Sequence, residues 1–240
     1  MTESRKSIPW LLIALVVPAL AVLIALGIWQ SQRLVWKADL IARAEAAADM
    51  PPRPLADVLG APDPEFRKAL VLCRGLPTAP FVELRSIHEG QPGFRLISAC
   101  VPEGSTETFL VDRGFVPESV ADRPRVAPST LPLSLTVELR RTPVQGGMTP
   151  APEGRVFYGR DTAAMAEALG AAPPSGFTLY ALVTPNPEVE AVVASAPPAA
   201  FSNNHLGYAL TWFGLALALL GVSTAFLFRR TRPPAEDSPS

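Results

Sequence analysis

Two blocks of the sequence, residues 8–28 and 206–228, contain no charged side chain, and they constrain the fold more than anything between them. A helix rises about 1.5 Å per residue, so the first block matches the ~30 Å hydrocarbon core of a bilayer and the second, two residues longer, spans it with some tilt. Both are read as transmembrane helices. Arg5 and Lys6 resemble the basic start of a secretory signal, but the apolar region of a signal is only about 7–15 residues long. No small-x-small cleavage site precedes Trp29, so the first block is read as an uncleaved anchor. Pro9 suits a first helical turn, whereas Pro18 falls mid-span and is expected to bend the helix.

The second span sets the orientation. Arg229, Arg230 and Arg232 follow it and no Lys or Arg lies between Phe201 and Phe228, which puts its C-terminal end on the cytoplasmic side. Around the first span the balance is even, Arg5 and Lys6 against Arg33, Lys37 and Arg43. Two spans force both termini to one side. The expected organisation is a cytoplasmic tail 1–7, a span 8–30, an external β-rich domain 31–204, a span 205–228 and a cytoplasmic tail 229–240. In a bacterium this is a two-pass inner-membrane protein with a periplasmic domain; in a mitochondrion the domain faces the intermembrane space.

With 21 Lys+Arg against 22 Asp+Glu, the chain has no basic stripe with which to neutralise a polyanion, so nucleic acid is excluded as a partner. Of its 27 prolines, 22 lie between the apolar blocks, which argues against long helices there. Residues 30–48 are the exception: Trp29, Arg33, Trp36, Leu40 and Ala44 share a helical face, so the first span is expected to run straight on into water, with Asp39 and Arg43 as an i, i+4 ion pair. Pro51, Pro52 and Pro54 end that helix. Strands are expected at 68–76, 81–87, 94–101, 108–113, 133–141 and 177–183, with turns at Glu89-Gly90-Gln91-Pro92-Gly93 and Pro102-Glu103-Gly104. One further helix, 161–169, has Asp161 or Thr162 as N-cap and Gly170 past its end. The fold class is therefore a membrane protein of α+β type: two transmembrane helices flanking an external antiparallel β-barrel-like domain, with one or two helices, one of them covering an opening of the barrel.

Few residues can carry chemistry. His88 lies in a Gly/Pro-rich loop, where an exposed or turn-bonded imidazole is expected, and no nucleophile motif accompanies it. Cys73 and Cys100 are 27 residues apart on nearby strands; buried free thiols come first, then a disulfide, then metal ligands. Arg113 sits at a strand-to-turn junction and suits a surface or strand-end ion pair, with a carboxylate ligand as the other use. No nucleotide loop, catalytic dyad or metal cluster is visible, so an enzyme is not expected.

His205 is placed differently. It opens the second span, with Asn203 or Asn204 suited to capping the helix, and helical spacing continues the face through Tyr208, Trp212 and Leu215. Such a histidine either bonds headgroups and water within an interfacial aromatic belt or acts as an axial ligand for a haem lying against an aromatic wall built by both spans. With no second histidine at that depth, iron bound there would be five-coordinate and labile.

Three segments carry a resemblance: Leu26-Gly27-Ile28-Trp29-Gln30 followed by Arg33, Trp36 and Lys37; Val111-Asp112-Arg113-Gly114-Phe115-Val116-Pro117; and Asn203-Asn204-His205-Leu206-Gly207-Tyr208-Ala209-Leu210-Thr211-Trp212-Phe213-Gly214-Leu215. In this order they resemble the Surfeit locus protein 1 family over nearly the whole chain. The resemblance implies a cytochrome c oxidase assembly factor, not an enzyme, anchored by two helices and helping to place haem a in the catalytic subunit of a haem-copper oxidase. The partners implied are that subunit, the haem a synthesis machinery and membrane lipid, and the family's proposed iron ligand corresponds to His205. Where the family has Asn-Arg-Gly-Trp, this chain has Asp112-Arg113-Gly114-Phe115. The expected site has His205 on the iron, Trp29, Trp36, Tyr208 and Trp212 against the macrocycle, and Arg33 or Lys37 on the propionates. The alternative is a scaffold that docks oxidase subunits without binding haem.

Overall fold

The computed structural model describes residues 10–143, 149–197 and 203–231, with side chains to residue 229 in the last helix. The roles expected of Arg5, Lys6, Pro9, Phe201, Ser202, Arg232 and the side chain of Arg230 lie outside this description, as do the tails 1–7 and 232–240. The chain forms two compact units, one over Ala42–Ala199 and one built from the segments on either side of it.

Helices α1 (Trp10–Ala48) and α4 (His205–Thr231) supply the second of these units. Both are long and apolar enough to cross a membrane. The 39 residues of α1 make a helix of about 58 Å at 1.5 Å per residue, nearly twice the ~30 Å of hydrocarbon, so a single helix covers the apolar block and the amphipathic stretch after it. Pro18 lies inside it. Three hydroxyls in the spans turn back on the carbonyl one turn earlier, Ser31 on Gly27, Thr211 on Gly207 and Thr224 on Leu220, which satisfies these donors in an apolar medium.

The unit over Ala42–Ala199 is an eight-stranded sheet. Its strands are β1 (Arg53–Pro54), β2 (Lys68–Arg74), β3 (Val82–His88), β4 (Gln91–Cys100), β5 (Thr108–Pro117), β6 (Pro132–Arg141), β7 (Val156–Phe157) and β8 (Pro174–Ala181). Two short helices, α2 (Leu55–Leu59) and α3 (Thr162–Ala168), accompany them. The order is β1-β2-β6-β8-β5-β4-β3-β7. All six expected strands form. The β3–β4 hairpin closes through Glu89 and Gly90 at φ 49° and 80°, the positive pair that a two-residue hairpin turn of the right twist requires. Asp161 caps α3 by accepting from the Ala164 amide.

The expected antiparallel barrel is corrected on two counts. The sheet is mixed, because β5 pairs with β8 in parallel, and it is open, with the two-residue strands β1 and β7 at its edges. The segment carrying β7 and α3 takes the chain across the sheet, so β8 returns between β6 and β5. A parallel neighbour needs such a crossover, and hairpin signals in the sequence do not register it. Short edges achieve the protection that closure would have provided. Nor does α3 cover a barrel opening: Met165 and Ala166 pack on Val82, Leu84, Ile97, Leu110 and Phe157, on one face of the sheet. The opposite face of β5, through Phe109 and Val111, packs with Val71, Cys73, Leu135, Val137 and Leu179. That cluster joins strands far apart in the order, so the sheet curls around it.

A disulfide, not a pair of free thiols, links Cys73 and Cys100, with Cα atoms 6.0 Å apart. The strand-pair reasoning placed the two thiols near each other without showing that the curl brings their side chains together.

Candidate functional site

The seam between α1 and α4 follows from helical phase. Ala209, Ala216 and Ser223, seven residues apart, are the buried positions of α4, and α1 meets that helix at Gly27, Gln30 and Leu34. A Cβ at Gly27 would lie 2.6 Å from the Phe213 ring, so a larger residue there requires that ring to move. Small residues permit this approach in lipid, where apolar surface alone does not drive helices together.

Polar side chains close the upper end of the seam. The Nδ1–H of His205 donates to Gln30 Oε1 at 2.6 Å, and Asn203 Nδ2 donates to the Leu34 carbonyl at 3.5 Å. Asn203 Oδ1 is buried without a partner, and this side chain is turned to α1, which leaves Asn204 as the other of the two expected cap residues. With the Gln30 oxygen turned to the ring, the bond is made by the His205 form that carries its proton on Nδ1 and its lone pair on Nε2. That is the arrangement of a metal-binding histidine, one nitrogen held by a carbonyl and the other presented.

The remaining expected residues divide between the flanks of the seam. Phe213 shares an open groove with Ile28, Ser31, Val35 and Trp36 on one flank. By helical phase, Trp29 and Arg33 of α1 and Tyr208 and Trp212 of α4 belong to the other, with His205 at its edge. Trp29 and Tyr208 are about half exposed, at 49% and 57%, which leaves aromatic surface uncovered on that flank. Trp212 Nε1 is buried with no partner, an orphaned donor on the same flank. The Arg33 guanidinium lies 4.8 Å from the Trp36 ring centre, so Trp36 serves the cation while lining the Phe213 groove. Lys37 follows Gln30 and Leu34 along the seam and is half-buried. The residues present fit an iron porphyrin: an oriented imidazole, uncovered aromatic surface, an orphaned indole donor and two cations. Among the described residues no group of three or more His, Cys, Asp or Glu could hold a bare metal ion.

In the sheet unit, the Asp-Arg-Gly-Phe segment is structural. Arg113 is fully buried, and its five donors go to Asn186 Oδ1 (twice), Pro77 O, Ala79 O and Ser98 Oγ. No donor remains for a propionate, and the expected surface or strand-end role is corrected for the same reason. Burial lowers its pKa to about 10, with Glu188 working in the other direction. Gly114, at φ 135°, admits the backbone of Val193, whose carbonyl would lie 2.7 Å from an added Cβ and which pairs with Phe115 in both directions at 2.9 and 2.8 Å. Asp112, also fully buried, accepts from Arg95 at 2.6 Å and Arg160 at 3.2 Å, and both guanidiniums lie near the Tyr180 ring. His88 ends β3 with its ring centre 5.2 Å from that of Phe115. Sequence reasoning missed the Asp112 cluster and the role of Gln30; the one signal available for Gln30 was a polar residue in phase with Gly27 and Leu34.

The SURF1 family model matches residues 17–217. The chain is 29% identical to a SURF1-like protein of Drosophila melanogaster, over 95% of this chain and 78% of that one. It is 29% identical to Surfeit locus protein 1 of Homo sapiens, over 90% of this chain and 76% of the human protein. With Surfeit locus protein 1 of Mus musculus it shares 30% identity, over 90% and 74% respectively. The matched region takes in the helix seam as far as Ala216, the buried Asp112 and Arg113 and the His205 segment, and the chain belongs to the SURF1 family.

Proposed function

We propose that the chain is a cytochrome c oxidase assembly factor that holds haem a as cargo where α1 and α4 leave the membrane and passes it to the oxidase's catalytic subunit. Family membership supports the assembly role. The observation that carries the haem reading is His205, whose Nδ1 is held by Gln30 at 2.6 Å and whose Nε2 lone pair is thereby presented. In this reading Nε2 binds the iron, Trp29, Tyr208 and Trp212 contact the macrocycle, and Arg33 and Lys37 supply positive charge for its carboxylates. Trp36 holds the Arg33 guanidinium by stacking. The orphaned Trp212 indole N–H suits an oxygen on the macrocycle's edge. One imidazole ligand, with no second histidine in α1 or α4, suits a carrier that must let its cargo go.

The same proposal places both termini in the cytoplasm of a bacterial inner membrane and residues 31–204 in the periplasm, with spans at 8–30 and 205–228 and tails at 1–7 and 229–240. Arg229 at the end of the second apolar block supports that orientation, and so does the disulfide, since such bonds persist in oxidising compartments.

Titrating ferric haem a into the detergent-solubilised full chain tests the site. A saturable Soret shift that weakens at least tenfold in His205→Ala is expected. A chain that takes up no haem, and whose His205→Ala variant still supports oxidase assembly in cells, would be a scaffold instead.

A further inference from the structure

The bond between His205 and Gln30 crosses from one helix to the other. The ligand comes from α4; the group that orients it comes from α1. An imidazole at a helix start is free to hold its proton on either nitrogen, and only the form with the proton on Nδ1 presents Nε2. Gln30 Oε1 faces His205 Nδ1 at 2.6 Å, and with that oxygen turned to the ring only the Nδ1–H form completes the bond. Its backbone is fixed one turn above Gly27, where α1 meets the Phe213 ring, and one turn below Leu34, which receives the Asn203 amide. The acceptor is thus held by packing on both sides.

We infer that Gln30 is a positioning residue for haem: it fixes His205 in the Nδ1–H form and makes haem capture conditional on α1 and α4 being paired. The inference rests on the haem reading above and adds to it. A carbonyl accepting from the distal nitrogen raises the basicity of the coordinating one and restrains the ring, and loss of such a partner typically lowers metal affinity 10- to 100-fold. When the two helices part, Gln30 is withdrawn, the tautomer is no longer selected, and the grip on iron weakens without any change in His205 itself. A partner helix that separates them would release the cargo.

The haem-free full chain in detergent, labelled with ¹⁵N-histidine, provides the first arm of the test. It has only two histidines, so the ring signals are assigned by comparison with His205→Ala. Wild type should show His205 protonated on Nδ1. Gln30→Leu should shift it toward the Nε2–H form, and Gln30→Glu, which keeps an acceptor of the same length, should preserve Nδ1–H. The second arm titrates ferric haem a into the same proteins. Gln30→Leu should bind 10- to 100-fold more weakly, while Gln30→Glu should retain binding with a lower midpoint potential, as a stronger acceptor makes the imidazole a better donor to ferric iron. An unchanged tautomer in Gln30→Leu would overturn the inference, as would a changed tautomer with unchanged haem affinity. If His205→Ala binds haem as tightly as wild type, the haem reading itself fails and takes the inference with it, a result separate from the other two.

Discussion

Cys73 on β2 is joined to Cys100 on β4 although β6, β8 and β5 lie between these strands in the sheet's hydrogen-bonding order. The bond is therefore a tie across the curl of the sheet. Next to it the Glu103 amide donates to the Leu72 carbonyl at 2.9 Å and Arg74 pairs with Glu103 at 2.9 Å, so the β4–β5 loop is stitched to β2 two ways beside the disulfide. For a separation of 27 residues, loop-closure entropy alone gives a stabilisation of about 3.5 kcal/mol. Cys73→Ser should lower stability to denaturant by roughly 2–5 kcal/mol, and Cys73→Ser/Cys100→Ser should cost no more than either single change. Denaturant midpoints for oxidised, reduced and substituted protein check this.

The two arginines on Asp112 lie out of water with it, at side-chain exposures of 5% for Arg95 and 12% for Arg160 against none for Asp112. Asp112→Ala leaves two guanidiniums without their carboxylate, which should cost about 3–5 kcal/mol. Arg85→Ala, which breaks the exposed pair with Glu118, should cost under about 1 kcal/mol. Comparable losses in the two variants, measured by chemical denaturation, would mean the Asp112 cluster is better hydrated than its burial indicates.

Tyr180 lies in the same cluster, and burial raises its phenol pKa above the usual 10.0, with nearby arginines offsetting part of the effect. Its contribution is thus fully present below the unfolded value and lost as pH rises through the folded one. Arg113 acts in the opposite sense: its pKa is lowered by burial to about 10, so its burden on the fold is relieved as pH rises above that value. Both proteins carry Arg113, so it cancels when wild type is compared with Tyr180→Phe. The variant should match wild type near neutrality and lose less stability as pH rises past 10, as read from denaturant midpoints at a series of pH values.

Gly27 and the Phe213 ring leave no room for a branched side chain between α1 and α4. Gly27→Leu should weaken helix pairing by about 1–3 kcal/mol through overpacking, and Phe213→Ala in the same chain should restore part of it. An SDS titration of helix pairing in the detergent-solubilised protein decides between these outcomes.

Local structure was legible where local chemistry decides it. Residues 133–141 alternate apolar and polar side chains and 69–73 are a continuous apolar run, and the strands form as Pro132–Arg141 and Lys68–Arg74; Asp161 and Gly170 bracket α3 as cap residues should. Strand order was not legible, because β8 finds β5 through a crossover and not a hairpin. The burial of Arg113 was hidden for a similar reason: its main side-chain partner, Asn186, lies 73 residues further on. In the helix pair, spacing alone identified the His205, Tyr208 and Trp212 face, but the side of α1 that meets it depends on how two helices pack. That packing brings Gln30 to His205 and leaves Trp36 on the Phe213 groove.

The most direct measurement is the haem content of the full chain purified in detergent from cells that make haem a, by visible spectrum and pyridine haemochrome. The account predicts about one haem a per wild-type chain, bound through the single imidazole ligand, and close to none in His205→Ala. Colourless wild-type protein, or equal pigment in the two, would contradict it.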